Sequence, residues 1–466
     1  MSLHTLVGLV VALVHASPVS AIQPTLMDNA LPQQHQGHAA PAAADTLDAH
    51  HADAHSEADS GTHSGHAMFS RTLDSGWRVL GMSQVFPVMS RVETAEGGQL
   101  QGSQLLLTQP VAMLNLESPS GRFALRFSPN FEFATLADGE RSIGGWGEGF
   151  IDSRHPHTAV HEFMASVNSF GDGVDWSLSA GKGFAPFGTE DPMSRPVLKY
   201  PTNHHLSQIL ERFTLNGVVL WSGWSVEAGM FGGSEPESPW DLSNFDSFGD
   251  SWSLRVARRL GGENAWGTWP LEIAGSWAEV AHEHHGTTEI TSLVNGQVRL
   301  DTQHELGRLY GLVEASRSDN PGDDDFWSVL AEARLTRGPH QPYARVEWAT
   351  RPEYERDAAS GAGFLRYDHD AHIEGASRWN LWTVGYGYTA SEGGVSLRPF
   401  AELQWAQVSD DARGPDVTEL FGARRAWGLS LGARVFFGGD PMRMGTYGVL
   451  DPMTRMSRGP ASMHHP

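Results

Sequence analysis

Within the stretch from Gly171 to Phe213, seven charged side chains lie in or beside a long proline- and glycine-rich loop. They are Lys182, Glu190, Asp191, Arg195, Lys199, Glu211 and Arg212. Opposed charges across a narrow, water-filled gap would set a transverse field that favours some solutes over others. The same residues could instead form ion pairs that only hold the loop in place.

Histidine and methionine supply a second kind of chemistry, because imidazole binds Cu or Zn and thioether with imidazole favours Cu(I). The candidate metal ligands are His50, His51, His55, His204, His205, His282 and His284. On a strand, His282 and His284 point to one face, where Glu279 or Glu283 could supply a third ligand. Residues 438–466 add further methionines and two histidines, among them Met442, Met444, Met453, Met456, Met463, His464 and His465.

Enzymatic motifs are weak or missing. Gly428 to Gly432 matches G-x-S-x-G, but a nucleophile elbow needs a strand that turns sharply into a helix, and these residues alternate through a predicted strand. Neither H-E-x-x-H nor a phosphate-binding P-loop occurs in the sequence. We therefore expect no catalytic residues and no enzyme.

The elements that must position these residues are strands, because period-two alternation recurs along the chain. Between Arg122 and Phe133 the phenylalanines share one face, whereas Arg126 and Glu132 share the other. A soluble sandwich would turn the aromatic face inward, and a membrane barrel would turn it toward lipid. Periodicity alone does not choose between these two folds.

Strand number and length favour the barrel. Many candidate strands have about ten residues or more, as a tilted membrane-crossing strand needs, and an even number returns both ends to the periplasmic side. The sixteen candidates are 76–90, 103–116, 121–134, 159–168, 173–182, 208–221, 223–232, 249–260, 269–281, 297–305, 308–318, 326–337, 342–351, 377–390, 394–408 and 425–437. The predicted fold is an all-β transmembrane antiparallel β-barrel of about 16 strands with a disordered N-terminal segment.

Connections and aromatic residues fit this fold. Short turns are expected at 118–121, 222–223, 337–339 and 391–394, and longer external loops at 136–157, 233–249, 283–296, 319–326, 351–377 and 410–424. Aromatic residues near strand ends could form interfacial girdles. They are Trp221, Trp224, Trp240, Trp266, Trp269, Trp327, Trp348, Trp379, Trp382, Tyr386, Tyr388 and Trp427.

The pattern K-x-x-x-P-F-G, formed by Lys182, Pro186, Phe187 and Gly188, resembles the strand-to-loop passage of outer-membrane porins, notably the phosphate-selective type. The resemblance implies a loop, residues 183–207, that folds into the barrel and narrows the pore. It also implies an aromatic-ended closing strand, and a homotrimer as the assembly state, although no residue identifies a subunit interface. Trp427–Phe437 resembles that closing strand, but residues 438–466 continue beyond it. The His-rich front and Met/His tail are similar in composition to copper-resistance outer-membrane barrels.

The ends of the chain complete the predicted organisation. Residues 1–21 read as a signal peptide, 22–68 as a disordered His-rich periplasmic segment, 69–437 as the barrel and 438–466 as a Met/His-containing tail. The His-rich segment could equally be a solvated tether. The sequence has no cysteine, which excludes disulfides and thiolate ligands. A formal charge of −23 excludes a nucleic-acid partner.

We therefore expect a channel in the outer membrane of a Gram-negative-type cell for passive diffusion of small hydrophilic solutes or ions. Its partners would be outer-membrane lipid, those solutes and the barrel-assembly machinery, and it would need no cofactor. The alternative is a barrel that handles Cu or Zn through its termini. A third possibility is a structural barrel with a plugged lumen.

Overall fold

The computed structural model describes residues 69–94, 102–135, 158–189, 191–236, 239–240, 244–263, 269–284, 287–320, 325–352, 375–411, 414, 416–438 and 443–458. The predicted signal peptide and His-rich segment lie outside the described residues, as do Glu190 and Trp266. None of the described helices is long and apolar enough to cross a membrane.

One antiparallel sheet closes on itself to form the barrel. Its strands are β1 Phe69–Thr72, β2 Arg78–Thr94, β3 Gly102–Glu117, β4 Phe123–Pro129, β5 Val160–Phe170, β6 Val174–Gly183, β7 Arg212–Trp221, β8 Trp224–Gly232, β9 Phe248–Leu260, β10 Leu271–His284, β11 Thr287–His304, β12 Gly307–Asp319, β13 Trp327–Thr336, β14 His340–Pro352, β15 Ala376–Tyr388, β16 Ala390–Glu392, β17 Val395–Asp410 and β18 Arg425–Phe437. Three short helices are α1 Glu132–Thr135, α2 Val417–Phe421 and α3 Pro452–Arg458. Single 3₁₀ turns span Pro192–Ser194, His204–Leu206, Asn244–Ser247 and Gly448–Leu450.

Closure comes from β2, which pairs with β3 on one side and β18 on the other. The short β1 pairs only with the first residues of β2, and β16 continues β15 alongside β17. The wall therefore has sixteen strands, and the predicted fold class is confirmed.

Two predicted boundaries differ from the structure. The expected loop 283–296 is mostly strand, because β11 begins at Thr287 and pairs residue by residue with β10. The Asn295-Gly296 pair, a common turn signal, lies inside this ladder, where a side chain at Gly296 would meet open space. The predicted strand 121–134 is shorter, since β4 ends at Pro129 and α1 follows.

The two faces of β4 are arranged as a membrane barrel requires. Phe123 on β4 and Phe131 just beyond it are 50% and 49% exposed on the outside, whereas Arg126 on β4 and Glu132 at the start of α1 are each 3% exposed on the inside. Other strands repeat this pattern, with Leu, Val and Trp side chains outward and Ser, Arg and Glu inward. An apolar outer band around a polar interior is the signature of outer-membrane barrels, and the chain is one of these.

Outward tryptophans form edge-to-face or tilted pairs on neighbouring strands, namely Trp252–Trp277, Trp348–Trp382 and Trp405–Trp427. Trp221, Trp224, Tyr386 and Tyr388 are exposed near the opposite rim. Two residues that were predicted to lie in the girdles do not lie there. Trp269 and Trp379 are 9% and 1% exposed and pack inside, each under an arginine guanidinium.

Connection length separates the two rims. The four predicted short turns lie at one rim, together with 171–173 and 305–306, and most long connections lie at the other. Short turns mark the periplasmic side of such barrels. We call the two rims the periplasmic and the outer rim.

Candidate functional site

Residues 184–211, here called the lumen loop, connect β6 to β7 and fold inside the barrel. Gly188 shows why the chain can turn there: its φ is +63°, and a Cβ would lie 1.8 Å from the carbonyl oxygen of Ser207. The Gly188 amide donates to Ser276 Oγ on β10 at 2.9 Å, and Gln297 Nε2 on β11 donates to the Gly188 carbonyl at 2.9 Å. The loop therefore docks on a wall that is far from its own strands in sequence.

The loop then crosses to other parts of the wall. Ser207 Oγ donates to Glu314 on β12 at 2.5 Å, and the Thr202 amide donates to Glu347 on β14 at 2.8 Å. Arg345 on β14 donates to the carbonyl of Lys199 at 2.7 Å, and Arg434 on β18 donates to the carbonyl of Arg195 at 3.0 Å. Hydrogen bonds to five strands from β10 to β18 hold the loop across the lumen.

Two of the predicted constriction residues lie on this crossing. Arg195 is fully buried, with its guanidinium 3.5 Å from Glu314 and 3.9 Å from Glu332. Lys199 is 1% exposed, with Nζ 3.2 Å from Glu402 and 2.9 Å from Gln404. Carboxylates of the wall contact both cations directly. One hypothesis from the sequence is instead that opposed charges face each other across a water-filled gap.

Asp191 and Glu211 meet at the root of the loop, on either side of a buried histidine. His161 Nδ1 is 2.7 Å from Glu211 and its Nε2 is 3.8 Å from Asp191. Lys182 donates to Thr158 Oγ1 at 2.6 Å. In register Lys182 pairs with Phe163 and Phe213, yet its side chain is 2% exposed, and Thr158 in turn donates its amide to Glu211 at 2.9 Å, so Lys182 belongs to this buried group at the root of the loop.

Arg212 and the two loop histidines form a separate group. The Arg212 guanidinium pairs with Glu235, and His205 Nδ1 is 3.6 Å from the same carboxylate. The His204 and His205 rings are 3.9 Å apart, and His204 is 1% exposed. This group joins the end of the loop to the connection after β8.

The structure brings together no set of His, Asp and Glu side chains that could hold a metal among the described residues. His282 and His284 lie on β10, but Glu279 faces the opposite side, where it accepts a hydrogen bond from Trp252 at 3.1 Å. Glu279 is therefore not the third ligand. His50, His51 and His55 lie outside the described residues.

A second segment, residues 443–458, also lies inside the barrel, and we call it the lumen tail. It follows β18, whose bounds match the predicted closing strand, and it re-enters from the periplasmic rim. The Val449 amide donates to Ser177 Oγ near the start of β6 at 3.2 Å, and Tyr447 donates to Glu162 at 2.9 Å while accepting from the Phe184 amide at 2.9 Å. The tail thus packs between the wall and the first residue of the lumen loop.

Buried ion pairs anchor the lumen tail at three points. Arg443 donates both terminal nitrogens to Glu272, at 2.9 and 3.0 Å. Asp451 lies 2.6 Å from Arg126. Arg455 donates to Glu263 at 2.7 Å and packs over the ring of Trp269. Bidentate and charge-assisted bonds of this kind are strong and directional.

Burial perturbs the titrating groups of this region that lie outside the wall strands. Desolvation raises the pKa of Asp451 and of Glu263, although each faces an arginine that opposes the shift. Desolvation and the neighbouring Glu162 raise the pKa of Tyr447 well above its usual value. Tyr447 therefore remains a neutral hydrogen-bond donor at physiological pH.

Sequence reasoning did not place the tail in the lumen. A signal was present, because Asp-Pro-Met occurs at 191–193 in the loop and again at 451–453 in the tail. The structure is a sixteen-stranded outer-membrane barrel that encloses two segments of its own chain.

No family model matches this chain, and no curated protein matches it. Solved structures that resemble it include outer-membrane expressed OmpT of Vibrio cholerae, with 10% identity over 79% of this chain and 100% of that one and a TM-score of 0.46. An anion-selective porin from Comamonas acidovorans has 14% identity over 78% and 100%, with a TM-score of 0.43. OprB of Pseudomonas putida has 12% identity over 78% and 95%, with a TM-score of 0.44.

Proposed function

We propose that the chain is a channel for passive diffusion of small hydrophilic solutes or ions, and not an enzyme. The observation that carries this proposal is the lumen loop, which crosses a polar interior and is bonded to strands around it. A segment held in this way narrows the pore and leaves part of its cross-section open. Selectivity would then arise from pore size and from the charges that line the remaining path.

The lumen tail adds a second restriction at the periplasmic side. It occupies the half of the interior formed by β3 to β10, where Arg126, Ser177 and Glu272 contact it. The facing wall keeps lumen-facing side chains that remain partly exposed, such as Arg308, Arg334 and Thr336. We infer that solutes pass along this second half.

Cysteine accessibility tests the pore directly, because the sequence contains no cysteine of its own. Thr336→Cys places a thiol on the inner face at the periplasmic rim, and Leu335→Cys places one on the outer face of the same strand. In planar bilayers, a charged thiol reagent should reduce the conductance of T336C and leave L335C unchanged. Folded protein that opens no conductance steps would refute the channel and leave a structural barrel with a plugged lumen.

Selectivity of the phosphate type would require exposed cations on the path. Lys199→Gln and Arg195→Gln change the reversal potential toward cations if these side chains act on passing ions. An unchanged reversal potential assigns both residues to anchoring of the loop. We also propose a homotrimer as the assembly, which cross-linking in the membrane tests.

A further inference from the structure

The lumen loop and the lumen tail meet the wall in a seam that is dominated by methionine. The seam contains Leu80 and Val111 with five thioether side chains, which are Met82, Met113, Met193, Met444 and Met453. Met82 and Met113 come from β2 and β3, Met193 from the loop and the other two from the tail. Three segments that are distant in sequence therefore bring methionine side chains into one apolar cluster.

Ordinary core packing does not account well for this distribution. Five methionines are buried among the described residues, and four of them belong to this seam. The other apolar clusters of the lumen are built from Val, Leu, Ile, Ala, Trp, Tyr and Phe, with Met164 as the single exception among the described residues. Methionine fills irregular gaps, but a general gap-filling role would scatter it among the clusters.

The same local hydrogen bond precedes one methionine in the lumen loop and one in the lumen tail. In Asp-Pro-Met at 191–193, Asp191 Oδ1 accepts from the Met193 amide at 2.7 Å. In Asp-Pro-Met at 451–453, Asp451 Oδ1 accepts from the Met453 amide at 2.9 Å. Both methionines are at most 1% exposed. A third copy, at 440–442, lies outside the described residues.

We propose that this methionine seam binds a soft monovalent cation, Cu(I) in the cell and Ag(I) as its redox-inert analogue. Neutral thioethers select Cu(I) over Zn and over hard cations, which prefer imidazole, thiolate or oxygen. A site from which water is excluded suits this ion, and four of the five methionines are at most 4% exposed. The site is distinct from the His-rich candidates, and the inference does not depend on the proposed channel activity.

A chelator competition on the full-length, folded barrel in detergent tests the site. Cu(I) would be held by bicinchoninate under anaerobic, reducing conditions, and the protein would compete for it. Met193→Leu, Met444→Leu and Met453→Leu together remove three sulfurs and keep the apolar volume. The triple variant should lose one equivalent of bound Cu(I), or at least tenfold in affinity, because the other His and Met residues contribute equally to both proteins.

The matched control is Met89→Leu with Met230→Leu, two methionines on the lipid-facing surface, and it should bind as the native chain does. Equal binding by the triple variant would overturn the proposal and leave an apolar seam only. Should the triple variant fail to fold, X-ray absorption at the copper edge of the native protein decides instead. Two or more sulfur neighbours support the site, and a shell of nitrogen and oxygen alone refutes it.

Discussion

The pair between Arg443 and Glu272 makes the docking of the lumen tail open to a quantitative test. Glu272 accepts from Arg443 and from Arg255 at 2.7 Å and forms an ion pair with Arg259 at 2.8 Å, while Glu227 faces the same two wall arginines. The wall alone therefore has two cations and two anions. Without Arg443 the charges of the wall still balance. The substitution should therefore weaken docking of the tail and leave the stability of the barrel unchanged.

The expected magnitude follows from burial. Arg443 and Glu272 are 8% and 1% exposed, and because the wall charges stay balanced without Arg443, the loss is that of its charge-assisted hydrogen bonding, about 1.5–3 kcal/mol. Since about 1.4 kcal/mol is a factor of ten, Arg443→Gln should raise the undocked fraction of the tail roughly 10- to 100-fold. Chymotrypsin cleavage after Tyr447 reports this fraction when docking is fast relative to cleavage. The cleavage rate should rise by the same factor while the folded mobility on unheated gels stays native.

Two further variants sharpen the test. Glu272→Gln should release the tail at least as far, because three guanidinium groups then face Glu227 alone. Arg91→Gln is the control, since the exposed Arg91–Glu93 pair contributes at most about 1 kcal/mol. A change of less than about threefold in Arg443→Gln would refute the reasoning and show that apolar contacts alone hold the tail.

Three other outcomes follow from the same structure. Arg345→Met removes the donors to the Lys199 and Val197 carbonyls and the arginine closest to Glu332, so conductance in planar bilayers should become larger or noisier; an unchanged trace would count against the loop as the constriction. Trp379→Ala, which opens a cavity beside Phe421, should cost about 3–5 kcal/mol, measured as a lower midpoint of heat-induced mobility change, whereas Trp382→Ala on the lipid face should cost clearly less. Burial raises the pKa of Asp451, so its side chain stabilises the docked tail fully at pH values below the ordinary aspartate pKa, and this stabilisation is lost as the pH rises through the raised pKa. The rate of cleavage after Tyr447, normalised to the rate for unfolded chain, should therefore increase with pH. Asp451→Asn should flatten this dependence.

Strands were predictable because a barrel wall imposes strict alternation. Within one strand the lipid face must be apolar and the lumen face polar, so β18 was located to the residue from Leu429, Leu431 and their neighbours. Alternation did not predict the start of β11, and the reason is physical. Thr287, Thr288 and Glu289 extend toward the outer rim, where the outward face need not be apolar, and alternation no longer marks the strand.

The contents of the lumen were only partly predictable. The length and composition of residues 184–211 indicated a loop that must pack against something, but the partners lie 80 to 240 residues away and leave no local pattern. Lys182 shows the limit of strand alternation as a guide. Its parity on β6 matches that of the outward-facing Trp176 and Leu178, yet its side chain is 2% exposed and donates to Thr158.

The two enclosed segments are physically coupled, because each forms part of the other's binding surface. Tyr447 of the tail bonds to the first residue of the loop, and Met193 of the loop packs with Met444 and Met453 of the tail. Release of either segment would strip the other of apolar contacts and of a hydrogen-bond partner. By linkage, anything that stabilises one docked segment stabilises the other by the same coupling free energy. Docking of the loop and docking of the tail are therefore coupled equilibria, and the methionine seam is one of the contacts that couple them.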